Sequence, residues 1–245
     1  MKTAIESIAS MGESLTRWVT LRAKDQTSDD QRPRVKVGPW VESIRWKMKF
    51  LDHYSTLLCN VRWESIGNLS LTACKHEDMV DLHVNDGLLL RLGSSRSAEM
   101  VVLASFDAAV AACVNSCDTL GRLINLVYGL GIHGFLESLP NVAKKVDPNC
   151  PLGVVMHAES GLDSIKFLRG LRGECQHAYL SEVLFQGYGS SALEPVVAGQ
   201  YCPDTAKELR VSEYLVMAKD RTLKVLTACA RAIAPDPENA VLPRC

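Results

Sequence analysis

Apolar residues recur at intervals of three and four along most of this chain, the period of helices with one buried side. Ile5, Ile8, Leu15, Trp18 and Leu21 predict an amphipathic helix over residues 3–23. The polar stretch Asp25 to Pro39 reads as a linker, and a second helix is predicted from Trp40 to about Val61. Residues 62–96 hold no sustained period and read as a polar, partly strand-like or helical connection. The strongest signal lies in Ser97 to Tyr128, where Val110, Cys113, Cys117, Leu120, Ile124 and Val127 form one long stripe. Leu136 to Val146 predicts a short helix, ended by the prolines at 148 and 151. Ile165, Leu168, Leu171, Cys175 and Ala178 mark the core side of a helix from about Ser160 to Gln186, with Ser160 and Asp163 as its capping start. A long loop leads to residue 203. Thr205 and Glu208 then form a second capping box, and the last helix runs to Ala234, stopped by Pro235 and Pro237. Leu209, Val216, Leu223, Leu226, Ala230 and Ile233 supply its apolar face.

The fold class is therefore all-α. The helices near 97–128, 160–186 and 204–234 predict an antiparallel bundle, with additional N-terminal helices packed against it. The expected organisation is an N-terminal helical extension and connection over 1–96, the bundle over 97–234 and a frayed tail over 235–245.

A net charge of −1 gives no global basic field, so a nucleic-acid site would have to be a local patch. Two such patches stand out. Arg45, Lys47 and Lys49 interleave with Trp46 and Phe50, a combination that suits single-stranded RNA; the competing reading makes the two aromatics core and the charges their solvated reverse face. Lys219, Arg221 and Lys224 form a smaller basic group, read as surface solvation or RNA contact. The nine cysteines are scattered without CxxC pairs, several at apolar helix positions, which fits a reducing cytoplasm better than a disulfide scaffold. The N-terminus lacks an apolar signal core, and no stretch reaches the roughly 20 uncharged apolar residues of a membrane span. The expected setting is cytoplasmic, with no membrane partner.

Two apparent motifs carry little. Cys74, His76, Asp78, Asp81 and His83 fit no standard zinc spacing, and neither metal nor cofactor is expected. Gly129, Gly131 and Gly134 spell a GxGxxG, yet they follow a helix rather than a strand, where glycines serve as a C-terminal stop and His133 as a loop residue.

Off the apolar stripe of the 160–186 helix stand Arg172, His177 and Tyr179, spaced Arg-x4-His-x-Tyr. This spacing resembles the HEPN family of small helical ribonucleases, and most closely the HEPN toxins paired with a nucleotidyltransferase antitoxin. The resemblance covers roughly residues 100–234 and implies Arg172 and His177 as the catalytic pair. It implies Tyr179 as the hydroxyl that the antitoxin adenylylates, and a homodimer whose two copies complete one cleft. Arg169, one turn earlier, is a natural supporting cation, and Glu174 can orient or quench Arg172. Asn115, Asp118, Arg122 and Asn125 step along another helix face; in such a dimer they would line the RNA groove, and otherwise they form a solvated face or dimer rim. Gly173 stands where the family often has a small polar residue.

Arginine binds phosphate through a planar fork that stays charged, and histidine moves protons near neutral pH. These are the residue types for metal-independent RNA cleavage by 2′-hydroxyl attack. The expected function is an endoribonuclease of a toxin–antitoxin or phage-defence system. The alternatives are a catalytically inactive HEPN-like module that binds nucleotide or RNA, and a helical interaction or immunity protein.

Overall fold

The computed structural model describes residues 1–25, 36–59, 80–83, 89–92, 95–158, 161–177, 196–197, 199–202 and 208–233. Most of these residues are helical, in seven α-helices: α1 (Lys2–Asp25), α2 (Val37–Cys59), α3 (Ser95–Tyr128), α4 (Leu139–Ala143), α5 (Pro151–His157), α6 (Lys166–His177) and α7 (Val211–Ile233). Two short antiparallel ladders interrupt them. β1 (Val80–His83) pairs with β2 (Leu89–Leu92), and β3 (Val196–Val197) pairs with β4 (Leu209–Arg210). The class is all-α, as the periodicity predicts. Among the described residues no helix is long and apolar enough to cross a membrane.

The long stripes are where the period places them. Ile8, Leu15, Val110, Cys113, Cys117, Leu120, Ile124 and Val127 are buried. The helix starts differ from expectation. The segment after Pro148 is a further helix, α5: Pro151 occupies its first turn, where a missing N–H costs nothing, and the Cys150 Sγ accepts the Gly153 N–H at 3.2 Å. α6 begins at Lys166, after a 3-10 turn over Leu162–Ile165; Ser160 lies outside the described residues. α7 begins at Val211, and Thr205 is likewise outside them. Its start is held by Glu213, whose Oε2 accepts the Arg210 N–H at 3.3 Å, the return half of a capping box. The predicted face of α7 is also out of phase at its start. Val216 is 59% exposed, while Tyr214, Leu215 and Ala218 are fully buried.

The chain forms two compact units: residues 1–49, 113–165 and 220–245 in the first, and 50–112 and 166–219 in the second. Each unit draws on sequence from both sides of residue 96. In the first unit α1 meets α2 at Gly12, where an added Cβ would lie 2.8 Å from a Val41 methyl. Gly121 of α3 lets the start of α4 cross close by, since a Cβ there would lie 2.6 Å from the Leu139 nitrogen. In the second unit Tyr214 of α7 packs between two rings. Phe167 of α6 stands edge-on with centroids 5.7 Å apart, and Phe106 of α3 lies tilted at 5.9 Å. This cluster ties α3, α6 and α7 together and fixes where α6 lies. Two contacts join α2 to α7: Lys219 pairs with Asp52, and the Cys59 thiol donates to the Ser212 carbonyl at 3.7 Å.

Cys59, Cys113, Cys117, Cys150, Cys202 and Cys229 are free thiols, and of these all but Cys59 are buried. Burial pushes Cys113 up to about 12, against the opposing effect of a hydrogen bond with Thr222, and burial alone takes Cys229 to about 12. These thiols behave as small apolar side chains.

Candidate functional site

α6 is short and strongly two-sided. Leu168 and Leu171 are buried, and Phe167 reaches Tyr214. Arg172 follows Leu171 and lies one turn after Leu168, so its stem runs along the edge of the apolar stripe. Long cationic side chains commonly cover apolar surface in this way. The consequence here is that the Arg172 Nε is buried and has no hydrogen-bond partner. Among the described residues no hydrogen bond or ion pair reaches the rest of this guanidinium either. Leaving a buried donor unmade costs about 1–3 kcal/mol, so such a group is not kept for stability. α6 also packs against the 3-10 turn Gly199–Tyr201, which follows β3.

His177 is the last described position of α6, so Arg172 and His177 lie on one regular helix. Five helical residues separate them by about 140° and about 7.5 Å of rise. The side chains of Glu174 and His177, and all of Tyr179, lie outside the described residues. Arg169 is partly buried and already engaged. Glycines 170 and 173 leave room beside them: a Cβ added at either would meet nothing within 4 Å.

The polar stripe on α3 has a different employment. α3 stops at Tyr128 in a Schellman turn, with Gly129 at φ 63° and the Leu130 N–H donating to the Asn125 carbonyl at 3.2 Å. The Asn125 side chain then holds the following loop twice. Its Nδ2 donates to the Ile132 carbonyl at 2.8 Å, and its Oδ1 accepts the Ile132 N–H at 3.1 Å. Asp118 accepts the Leu139 N–H at 3.4 Å, and Arg122 lies 3.9 Å from Glu137. The Asn115 carbonyl accepts the Thr119 hydroxyl. The glycines of the GxGxxG are thus helix-stop and loop residues, all three at left-handed φ, and His133 is exposed on that loop. Asn115, Asp118 and Arg122 belong to the first unit, and Arg169 and Arg172 to the second.

One further expectation changes. Trp46 and Phe50 are not core: they are 51% and 50% exposed. The apolar side of α2 is completed without them by Val41, Ile44, Met48 and Leu51, so their type suggested burial but their phase denies it. The Lys219, Arg221 and Lys224 group is consumed locally. Lys219 pairs with Asp52, Lys224 lies 2.7 Å from Asp220, and Arg221 donates to the Ser164 carbonyl at 3.2 Å. Of the weak metal cluster, Cys74, His76 and Asp78 lie outside the described residues, and Asp81 and His83 are positions of β1. What the polar stripe alone does not reveal is the role of Asn125, four residues before a Gly-x-Gly, whose amide reaches the loop after the helix.

The chain matches no protein-family model, and neither the curated proteins nor the solved structures contain a match to it.

Proposed function

We propose that this chain is a metal-independent endoribonuclease whose reacting groups are Arg172 and His177, of the toxin or phage-defence kind that its Arg-x4-His-x-Tyr spacing suggests. The observation that supports this reading best is the unpartnered, partly desolvated guanidinium of Arg172. A phosphate oxygen between its Nε and a terminal nitrogen would supply the missing acceptor. The bond would be strong because both partners are charged and water is partly excluded.

The chemistry assigns the remaining role. The ribose 2′-hydroxyl attacks the adjacent phosphorus, the bond to the 5′ oxygen breaks, and the products are a 2′,3′-cyclic phosphate and a 5′-hydroxyl. Arg172 stabilises charge on the non-bridging oxygens, and His177 moves a proton at the attacking or leaving oxygen. A second copy of the chain supplies the complementary proton carrier across a dimer cleft. Tyr179, two residues beyond His177, is the modification site through which a nucleotidyltransferase antitoxin would silence the enzyme. Added bulk and negative charge there would oppose RNA phosphates.

The test is cleavage of mixed-sequence RNA in EDTA by wild type, Arg172→Ala and His177→Ala, with the product ends identified. Wild type is expected to leave 2′,3′-cyclic phosphates, and each variant to lose at least about a hundredfold in rate. Absence of cleavage by wild type, with nucleotide or RNA still bound, would replace this reading with an inactive binding module.

A further inference from the structure

Between residues 220 and 233, α7 carries more apolar surface than its core side uses. Val225, Leu226, Cys229, Ala230 and Ile233 are buried, whereas Leu223 and Ala228 are only half-buried. Both line a groove of about 530 Å³ that α7 forms with the start of α1 and the end of α5. Its walls include Ala4 of α1 and Val155 of α5, and every lining residue belongs to the first compact unit. Such a volume with a mainly apolar lining suits a small molecule. The walls are fixed by contacts within the unit. Gly161 packs bare against the end of α5, where a Cβ would lie 2.5 Å from the Val155 and Met156 carbonyl oxygens. Arg221 of α7 ties the same turn down by donating to the Ser164 carbonyl at 3.2 Å. Leu223, Thr227 and Arg231 follow at four-residue intervals, a line of about 12 Å along the helix. Thr16, Thr20 and Thr119 each donate their hydroxyl to the carbonyl one turn back. Among the described residues Thr227 makes no such bond, and Arg231 has no carboxylate partner. Asp220 and Lys224, toward the other end of the groove, neutralise each other at 2.7 Å. The groove thus has an apolar body and one polar end, where a hydroxyl and an unmatched cation stand one turn apart.

We propose that this groove binds a free fatty acid of medium chain length, its carboxylate held by Thr227 and Arg231. The carboxylate accepts one bond from the hydroxyl and a forked pair from the guanidinium, whose planar shape matches it. The acyl chain runs from there over Ala228 and Leu223 toward Ala4 and Val155, out of contact with water. A nucleotide base needs an aromatic face to stack on, and none of the described residues lining the groove is aromatic. A membrane surface calls for a cluster of exposed cations, and the groove offers one that is unpaired. The inference stands on the first unit and does not depend on the Arg172 reading.

The probe is radiolabelled decanoate below its micelle threshold, in equilibrium dialysis against the full-length protein. Wild type is expected to bind it saturably, one molecule per chain. Octanoate should bind about four- to fifteenfold more weakly, since two methylenes leave the groove. Arg231→Gln should weaken decanoate binding about fivefold, as for a charge pair at an exposed site, and leave decanol binding unchanged. Thr227→Val keeps the side-chain shape without the hydroxyl and should cost about three- to tenfold. Ala228→Trp fills the groove and should lower affinity for both probes at least about tenfold. Thermal melts of each variant separate lost binding from lost folding, and Arg231 is exposed, so its variant folds whatever becomes of Ala228→Trp. The proposal is overturned if wild type binds no decanoate saturably, or if decanol binds as tightly as decanoate. It is also overturned if folded Arg231→Gln and Thr227→Val both keep wild-type affinity. Sedimentation with phosphatidylglycerol vesicles by a protein that ignores dissolved decanoate would overturn it too, and would make a lipid surface the partner. Saturable, Arg231-dependent binding in a protein that cuts no RNA would sustain this inference and end the ribonuclease reading alone.

Discussion

Two polar faces of this chain look alike in sequence and behave differently in structure. On α3, Asp118, Arg122 and Asn125 step by threes and fours, and all three are occupied by the loop that follows the helix. On α6, Arg172 belongs to a similar off-stripe set, yet its buried Nε has no hydrogen-bond partner and its guanidinium meets none among the described residues. Helical spacing shows that a residue lies off the core; it does not show whether the residue is already employed. Employment depends on what the chain does next. After α3 it turns back at once, through glycines at left-handed φ, and presents backbone groups to the stripe. The difference separates polar residues that contribute to stability from one whose present arrangement costs it.

Breaking the engaged side should have the largest effect. Asn125→Ala removes both side-chain bonds to Ile132 and leaves that residue's N–H and C=O to find water. A loss of about 2–3 kcal/mol is expected, since each bond contributes roughly 1 kcal/mol and the orphaned groups add desolvation. Urea unfolding of wild type and variant measures it. A loss under about 0.5 kcal/mol would mean that the Schellman turn alone sets the loop, and the contrast with α6 would weaken.

The same operation on α6 should run the other way. Arg172→Met keeps an unbranched stem along the apolar edge and deletes a buried donor that nothing accepts. Stability should change by less than about 1 kcal/mol, the sign being set by how well Met repacks. RNA cleavage, by contrast, should fall by at least about a hundredfold under the proposed function. A stability loss above about 2 kcal/mol would show that Arg172 is structural after all, and would remove the main support for the α6 site.

The helices were legible in proportion to their length. The stripe from Val110 to Val127 repeats over several turns, so its phase is over-determined, and every member is buried. The start of α7 is out of phase with the spacing of Leu209 and Val216, because Tyr214, despite its hydroxyl, takes the core position there. Trp46 and Phe50 show the same habit: the run Val41, Ile44, Met48, Leu51 already fills the buried side, and the aromatics fall opposite it. α5 was hidden because proline ends helices as often as it begins them, and Cys150 is an unusual N-cap. For the candidate site, the spacing of Arg172 and His177 was readable. That one of them lacks a partner was not, because pairing depends on tertiary neighbours that local sequence does not encode.

The smallest expected effect probes the open space beside Arg172. Glycine inside a helix costs about 0.5–1 kcal/mol relative to alanine, and neither Gly170 nor Gly173 has a neighbour that an added Cβ would strike. Gly170→Ala and Gly173→Ala should therefore each raise stability by about 0.5–1 kcal/mol, a rise of roughly 1–4 °C in Tm for a chain of this size. Their effects on cleavage should differ. Gly170 is exposed and two residues before Arg172, so its variant serves as a control with unchanged rate. Gly173 lies between Arg172 and His177, at the place where the resembling ribonucleases often carry a small polar residue. Gly173→Ser should thus hold or raise the cleavage rate. If it raises Tm but lowers the rate, the bare backbone at 173 is where the RNA or the second copy of the chain approaches the helix, and glycine there serves the site rather than the fold.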